Sequence, residues 1–324
     1  YANLLGITTS YSEGQDVFKR FTGISISEKD IDRITEQKCE EVVNHFSNRI
    51  KDMSLGTNNE VPSANINADN RHERIVYLET DGCHVPTRRI RSTTTDWKEC
   101  KTLLLFEMQE EQVINKKYFS SVGDVEYFKM QVKCELEDYC KDDKVKIVCI
   151  GDGASWIWKM VKELLPNERV EIFDWYHVKE RVSILASLLF PKDCQETDKD
   201  MFVQELKEEI YEGEIENAIE ILKKKYELVK NREIQAKIFE TMGYFENNRE
   251  RMKNYKKYQE NGICIGSGAI ESANKYVIQR RIKLPGCRWL VTHADNMAHI
   301  RAEYINGNFD NWFKLKNNPM LALT

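Results

Sequence analysis

The order in which strand-like and helix-like segments follow one another constrains the fold of this chain most strongly. Three strand-like segments, a helix, a strand, a second helix and a further strand occupy residues 71–177; in order they are RIVYLETDG, WKECKTLLLFEMQE, QVINKKYFSSV, residues 123–141, KVKIVCIGDG, ASWIWKMVKELL and RVEIFDWYH. The first three strands can form a meander, whereas the later alternation of helix and strand predicts parallel pairing. The sequence therefore predicts an α/β fold.

The remaining segments carry helical patterns. Residues 178–260 contain charged helical segments such as DKDMFVQELKEEIYEG and no strand pattern, which predicts an all-helical insertion. We accordingly divide the chain into a helical N-terminal segment with a linker (1–70), a first core part (71–177), the insertion (178–260) and a second core part (261–324).

Two helices are expected within residues 17–50, separated by a turn at Gly23. Ser27 is a suitable N-cap for the second helix, in which apolar residues recur at helical spacing. The pair is compatible either with a helix-turn-helix that binds DNA or with a helical hairpin packed on the core. Residues 51–70 are polar and turn-rich, so we expect a linker or mobile loop there.

The charge of the whole chain and that of one segment give opposite indications about nucleic-acid binding. The net charge is −5 and the sequence pI is about 5.9, which by itself argues against nucleic-acid binding. However, the segment from Arg249 to Arg288 has ten Lys and Arg against three acids, a local charge of +7 that favours binding of a polyanion.

The nine cysteines are scattered and odd in number, which argues for reduced thiols in a cytosolic protein and against a zinc site or a disulfide framework. No apolar run approaches the length of a membrane span, and the chain begins at Tyr1, so we expect its true N-terminus to lie further upstream.

Two aspartates, each followed by glycine, are candidate metal ligands. We expect Asp81 at the C-terminal end of the first strand and Asp152 at that of the fourth, with Gly82 and Gly153 allowing a sharp turn. If these strands pair in parallel, both carboxylates emerge at the ligand-binding edge of the sheet. Hard oxygen ligands suit Mg²⁺ or Mn²⁺, and two such ions can promote phosphodiester chemistry. The alternative is that both Asp-Gly pairs are ordinary turns.

A third candidate is Glu271, the single carboxylate in the segment GICIGSGAIES. Ser267 can cap a helix that starts near Gly268, with the residues Ile270, Ala273 and Val277 as its apolar stripe. Glu271 would then lie on the flank of the helix, from which it could reach the two aspartates. The alternative is a solvent-exposed ion pair between Glu271 and Lys275, four residues further on.

Four motifs together resemble bacterial insertion-sequence DDE transposases of the Mutator-related group: GDGASWIW (151–158), DWYH (174–177), IGSGAIES (265–272) and GCRW (286–289), preceded by TDGCHVP. The resemblance runs from about Arg74 to Trp312. It implies a ribonuclease-H-like mixed sheet flanked by helices, with the all-helical insertion before the last catalytic helix. It further implies that Asp81, Asp152 and Glu271 bind two Mg²⁺ or Mn²⁺ ions, which drive strand nicking at the element's ends and joining of the 3′-OH to target DNA.

The same resemblance matches Asp174 and His177 to an Asp-x-x-His element. For Asp174 we expect either a supporting role beside the metal ligands or an N-cap for the helix after WYH. His177 would contact a phosphate, orient a base near the cut, or fix the corner between strand and helix. Residues expected to contact DNA phosphates are Lys275, Arg280, Arg281, Lys283 and Arg288; the alternative for them is a solvated helix face.

Three functions remain compatible with the sequence. The first is an active transposase that works on transposon ends and target DNA, as a homodimer or higher oligomer, in the cytoplasm and on the nucleoid. The second is a domesticated or truncated DNA-binding protein with the same fold and no transposition. The third is a ribonuclease-H-like nuclease or resolvase, which would cut DNA without strand transfer.

Overall fold

The computed structural model of the protein describes residues 1–55, 74–140, 145–166, 169–191 and 196–313. In chain order its elements are α1 (Ala2–Thr8), α2 (Tyr11–Thr22), α3 (Glu28–Leu55), β1 (Arg74–Arg88), β2 (Asp96–Gln109), β3 (Gln112–Ser121), α4 (Val125–Tyr139), β4 (Val145–Gly151), α5 (Ser155–Leu164), β5 (Arg169–Phe173), α6 (Trp175–Leu189), α7 (Glu196–Glu212), α8 (Ile215–Leu228), α9 (Arg232–Asn248), α10 (Tyr255–Glu260), α11 (Gly268–Ala273), α12 (Arg280–Ile282), β6 (Trp289–Leu290), α13 (Val291–Ile305) and α14 (Phe309–Phe313). A π-helical segment (Asn274–Gln279) joins α11 to α12, and a 3₁₀ turn (Arg249–Arg251) follows α9.

Chain contacts divide the molecule into two compact units. The first comprises Tyr1–Lys146, Glu163–Glu168 and Ala269–Thr324, and the second comprises Ile147–Lys162 and Arg169–Gly268. Both units combine strands with helices, so the α/β class expected from the sequence is confirmed. None of the helices in the described residues is long and apolar enough to cross a membrane.

The sheet of the first unit is mixed. Strands β1, β2 and β3 form the predicted antiparallel meander, and β6 pairs with β1 in parallel through Thr87 and Trp289. An unbroken apolar run in β2, Leu103–Phe106, is buried throughout, as expected for a strand that is covered on both faces. The sheet is therefore an interior layer of this unit.

The expected end of β1 at Asp81 is wrong. The strand continues to Arg88, and Asp81 and Gly82 stay paired with Thr102 and Lys101 of β2. The Asp-Gly pair is therefore not a turn, because cross-strand pairing holds it extended. A Cβ on Gly82 would lie 2.3 Å from Glu99 Oε1, so the glycine leaves room for that side chain. Asp81 consequently projects from the middle of β1.

Helix α3 packs into the first unit along most of its length. Ser27 caps it as predicted, since its hydroxyl accepts a hydrogen bond from the Asp30 amide over 3.1 Å. The Phe46 ring lies 5.6 Å from the Phe119 ring of β3 and 5.8 Å from the His299 ring of α13. Helix α3 thus packs on the core, as the helical-hairpin interpretation expects. Residues 51–55 belong to α3, and the rest of the predicted linker lies outside the described residues.

The second unit begins with a parallel pair of strands, as predicted. Gly151 at the end of β4 lies opposite Phe173 at the end of β5. The segment RVEIFDWYH is a strand only as far as Phe173, because Asp174 caps α6, which starts at Trp175. In the described part of residues 178–260 every regular element is helical.

Candidate active site

Two carboxylates on β1 hold the helix that carries Glu271. Glu79 and Asp81 are two residues apart and therefore lie on the same face of the strand. The Ile270 amide donates to Glu79 Oε2 over 2.8 Å, and the Asn274 side-chain amide donates to Asp81 Oδ2 over 2.6 Å. Both bonds lie inside the first unit, so its geometry fixes the register of the helix against the strand.

The spacing of these two bonds follows from helix and strand geometry. Four residues of α-helix, from Ile270 to Asn274, rise about 6 Å. Two residues of strand, from Glu79 to Asp81, advance about 6.5 Å. Ile270 and Asn274 are thus spaced along the helix much as Glu79 and Asp81 are spaced along the strand, so the two elements can lie side by side. Glu79, fully buried, accepts from an amide in the first turn of α11, a position that favours a negative charge.

Glu271 lies beside this docked edge. The predicted stripe of Ile270, Ala273 and Val277 is buried, while Glu271 is exposed. Glu271 precedes Asn274 by three residues, so the two side chains are neighbours on the helix surface. Among the described residues no ion pair joins Glu271 to Lys275, and both side chains are exposed. The Glu271 carboxylate thus lies about one turn from the residue that contacts Asp81.

A π-helical segment, Asn274–Gln279, follows α11 directly, and α-helix resumes at Arg280. Such segments are rare and are frequent at functional sites. Here the segment starts at Asn274, the residue bound to Asp81, so the change in helix winding coincides with the contact to β1.

Asp174 joins the DWYH and GSGAIES motifs within the second unit. It is fully buried. Its Oδ1 accepts from the Tyr176 amide over 2.9 Å, as an N-cap, and from the Ser267 amide over 3.0 Å. The Ser267 hydroxyl donates to Oδ2. Asp174 therefore fixes the start of α6 and the turn before α11 together. We expected the Ser267 side chain to cap α11, but it donates to Asp174 instead. The first turn of α11 donates to the Glu79 carboxylate.

Asp152 follows β4 directly, as predicted, at the C-terminal edge of the parallel strand pair. Its Oδ1 accepts from the Ala154 amide over 2.9 Å, and the Trp158 indole donates to its backbone carbonyl over 2.7 Å. These bonds fix a tight turn that leaves the carboxylate half-buried.

A cavity of about 510 Å³ within the second unit opens beside Asp152. It is lined by Asp152, Gly153, Ala154, His177, Glu180, Arg181, Ile184, Leu185, Leu188, Lys237, Glu240, Thr241 and Tyr244. The Arg181 guanidinium lies 3.8 Å from the centre of the Tyr244 ring and 3.3 Å from Glu240. Burial raises the pKa of Tyr244 to about 12, so this residue keeps its proton at neutral pH.

His177 lies in the first turn of α6 and faces this cavity. Its Nε2 is 3.7 Å from Asp174 Oδ2, and its Nδ1 is 3.5 Å from Glu180. About a third of the side chain is exposed. The ring is therefore held between two carboxylates and remains accessible from the cavity that Asp152 lines.

The predicted phosphate-binding residues separate into two groups. Lys275, Arg280, Lys283 and Arg288 are exposed. Arg281 is only 1% exposed, so the expectation that it contacts phosphate is wrong. Its Nε donates to the Gly6 carbonyl over 2.9 Å, and its guanidinium packs against the Tyr11 and Trp289 rings, 4.6 and 4.8 Å from their centres. Arg281 is a core residue because it follows the buried Ile278 by three residues, on the apolar face of the helix.

The sequence predictions did not include Glu79 or Asn274. Strand alternation places Glu79 on the same face as Asp81, and helical spacing places Asn274 beside Glu271, so both signals were present in the sequence. The bond between Asp174 and Ser267 joins residues 93 positions apart. No local pattern indicates that bond.

Comparison with known proteins gives a family and no activity. A UPF0236 protein of Caldanaerobacter subterraneus subsp. tengcongensis, TTE0610/TTE0881/TTE1053/TTE2432, is 27% identical over an alignment of 259 residues that covers 77% of this chain and 51% of the relative. A second one, TTE1650/TTE2708, is 27% identical over 77% of this chain and 48% of its own length. The chain thus spans about half the length of these curated relatives. Residues 24–316 match the family described as "Uncharacterised protein family (UPF0236)", and the chain belongs to that family.

Proposed function

We propose that this chain carries the catalytic core of a DNA transposase, with Asp81, Asp152 and Glu271 as ligands of two Mg²⁺ or Mn²⁺ ions. It would nick DNA at the ends of a mobile element and join the freed 3′-OH to target DNA. The observation that carries the proposal is the pair of bonds from Ile270 and Asn274 to Glu79 and Asp81. They hold the Glu271 helix against the strand that bears Asp81.

The donor groups at this place suit a hard divalent cation. Asp81 and Glu271 offer carboxylate oxygens, which are the ligands that Mg²⁺ and Mn²⁺ prefer. The amide oxygen of Asn274 is buried and has no hydrogen-bond donor among the described residues, although it lies beside Asp81. A buried acceptor without a donor is costly, and a nearby cation would satisfy it. When bound, the ions would lower the pKa of water and offset the charge that develops at phosphorus.

Asp152 supplies the third carboxylate in the proposal. Its position directly after β4, with one oxygen fixed by the Ala154 amide, gives a rigid ligand on a strand end. His177, Arg181 and Lys237 line the cavity beside it and would bind the phosphates of the strand being cut. The proposal requires Asp152 to act together with Asp81 and Glu271.

Two further observations support a DNA-directed function. The exposed cations Lys275, Arg280, Lys283 and Arg288 follow Glu271 along the chain, where they could bind a phosphate backbone. The name of a further UPF0236 relative from the same organism joins eleven TTE designations. We interpret this as several copies of one gene, which is the pattern that a mobile element produces.

The test is a cleavage and joining assay. The 324-residue chain is incubated with a supercoiled plasmid that carries the DNA flanking its own gene, in Mg²⁺, Mn²⁺ or a chelator, and the ends are mapped. We expect metal-dependent nicks at fixed positions and 3′ ends joined to new DNA. The variants Asp81→Asn, Asp152→Asn and Glu271→Gln should each lose both products, whereas the exposed acids in Asp96→Asn and Glu260→Gln serve as matched controls.

The products also separate the alternatives. Cleavage without joined products indicates a nuclease or resolvase. DNA binding with no cleavage in Mn²⁺ indicates a DNA-binding protein that has lost the chemistry. Cleavage that survives in all three acid variants excludes the proposed site. Because the match covers only about half the length of the curated relatives, a full-length relative is assayed in parallel to supply any end-binding segment.

A further inference from the structure

A second group of potential metal ligands lies in the first unit, on elements that the proposed catalytic site does not use. Asp32 and Glu36 are four residues apart on α3 and therefore share one face of that helix. His293 faces them from the first turn of α13. One ligand atom from each residue lies within 4.8 Å of the other two.

The geometry between Glu36 and His293 is close to that of a metal site. His293 Nδ1 lies 3.6 Å from Glu36 Oε1. With zinc–nitrogen and zinc–oxygen bonds of about 2.0–2.2 Å, two ligands of a tetrahedral ion are roughly 3.3–3.6 Å apart. These two atoms could therefore bind one ion almost without moving, and a rotation of the half-buried Asp32 side chain would bring the third ligand into place.

The Glu36 carboxylate needs a partner that the described residues do not provide. Glu36 is 8% exposed, and its Oε2 accepts from the Asn296 side-chain amide over 3.1 Å. Its Oε1 is buried and has no hydrogen-bond donor among the described residues. This is the oxygen that faces His293, so the unsatisfied atom points into the cluster. A buried acceptor without a donor is costly, and a cation bound to it would remove that cost.

We propose that Asp32, Glu36 and His293 bind a divalent first-row transition metal ion, best matched by Zn²⁺. The imidazole disfavours Mg²⁺ and Ca²⁺, which prefer oxygen ligands, whereas zinc accepts nitrogen and carboxylate oxygen together. Two carboxylates and a neutral imidazole balance the charge of the ion. The site uses none of the cysteines, so it is compatible with their scattered pattern. Bound metal would tie α3 to α13 and leave at least one position open to solvent, because Asp32 and His293 are only half-buried.

The test is zinc titration of the chelator-treated 324-residue chain by calorimetry, with zinc-dependent changes in melting temperature as a second readout. The background carries Asp81→Asn and Glu271→Gln, so that the proposed catalytic ligands cannot contribute. We expect one equivalent of Zn²⁺ to bind and to raise the melting temperature. His293→Gln and Asp32→Asn should each weaken binding at least tenfold and abolish the thermal shift.

Two matched controls keep the comparison specific. Glu40→Gln removes an exposed acid one turn along α3, and His84→Gln removes an exposed histidine of β1; both should bind zinc as the background does. The zinc affinity of Glu36→Gln is compared only if its circular dichroism spectrum matches that of the background. If the spectra differ, the variants at the half-exposed residues Asp32 and His293 test the site. Absence of stoichiometric zinc binding, or binding that is unchanged by both His293→Gln and Asp32→Asn, overturns the proposal and leaves an ordinary contact between Glu36 and His293.

Discussion

The side-chain amide of Asn274 donates a hydrogen bond to the carboxylate of Asp81 over 2.6 Å. The two residues are 193 positions apart in the sequence, and the bond occurs where the helix after Glu271 changes from α to π winding. It orients Asp81 from the middle of β1 and places Glu271 one turn away. In our account this contact positions two of the three proposed metal ligands.

Asn274→Ala should therefore impair cleavage while leaving DNA binding intact. Asp81 then loses the donor to its Oδ2 and keeps the bond that its Oδ1 accepts from the Gly82 amide. The loss of such a supporting bond typically costs about 10–100-fold in activity or metal affinity. We expect the Mg²⁺ concentration for half-maximal cleavage to rise, as measured in single-turnover assays. Ser272→Ala alters an exposed neighbour and should match the unmodified chain. Full activity of Asn274→Ala at low Mg²⁺ would show that the bond does not position Asp81.

Ser267→Ala should destabilise the second unit. The change removes the hydroxyl that donates to the buried Asp174 carboxylate, leaving that charge with fewer partners. A hydrogen bond to a buried charged group is worth about 1.5–3 kcal/mol. We expect a loss of that order in chemical denaturation, against less than about 0.5 kcal/mol for the exposed Ser272→Ala. Equal stability of the two variants would contradict the role assigned to Asp174.

The neighbours Arg280 and Arg281 should respond in opposite ways to replacement by alanine. Arg281→Ala removes a buried side chain that packs against two rings and takes away the donor to the Gly6 carbonyl, so we expect about 2–4 kcal/mol of destabilisation. Arg280→Ala should leave the free energy of unfolding nearly unchanged.

For DNA binding the expectation is reversed. Arg280→Ala should weaken binding and lower the slope of log affinity against log salt by about one. Denaturation curves and salt-dependent binding isotherms measure the two effects. An unaffected salt slope in Arg280→Ala would remove this residue from the proposed DNA-binding surface.

Glu36 should make the metal-free protein less stable as pH rises. Burial, as the largest cause, raises the pKa of Glu36 from 4.5 to about 7, with Asp32 and Glu40 adding to the increase and Asn296 opposing it. Between these values the native state holds a proton that the unfolded state has released, so the free energy of unfolding falls as pH increases. The total effect is of the order of 3 kcal/mol, at 1.36 kcal/mol per unit.

Denaturation in the presence of a chelator, at pH 4.5 and pH 8, measures this loss of unfolding free energy. Glu36→Gln cannot titrate, so its stability relative to the unmodified chain should increase over that interval. Parallel pH profiles for the two proteins would mean that the Glu36 carboxyl ionises at an ordinary pKa.

Local signals in the sequence predicted local structure well. Ser27 as a helix cap, the buried stripe of Ile270, Ala273 and Val277, and Asp152 at a strand end all depend on a few adjacent residues. The meander and the parallel pair followed from the order of the elements.

Two of the features that the sequence did not predict depend on contacts that are distant in the chain. Asp81-Gly82 resembles a turn, but pairing with β2 keeps it extended. The π winding after Glu271 coincides with the bonds to Glu79 and Asp81. A count of positive charges does not separate the exposed Arg280 from the buried Arg281, although the spacing of Arg281 from Ile278 does indicate burial.

We propose that Asp81, Asp152 and Glu271 share the same metal ions, and titration of the DNA-bound protein with Mn²⁺ distinguishes a shared site from separate ones. Free Mn²⁺ is measured by electron paramagnetic resonance during titration of the DNA complex, in chain carrying His293→Gln so that the separate cluster does not contribute. We predict that Asp81→Asn, Asp152→Asn and Glu271→Gln each weaken Mn²⁺ binding strongly, whereas Asp96→Asn and Glu260→Gln leave it unchanged. Unaltered Mn²⁺ affinity in Asp152→Asn, alongside a loss in the other two variants, would contradict the account by separating Asp152 from the proposed site.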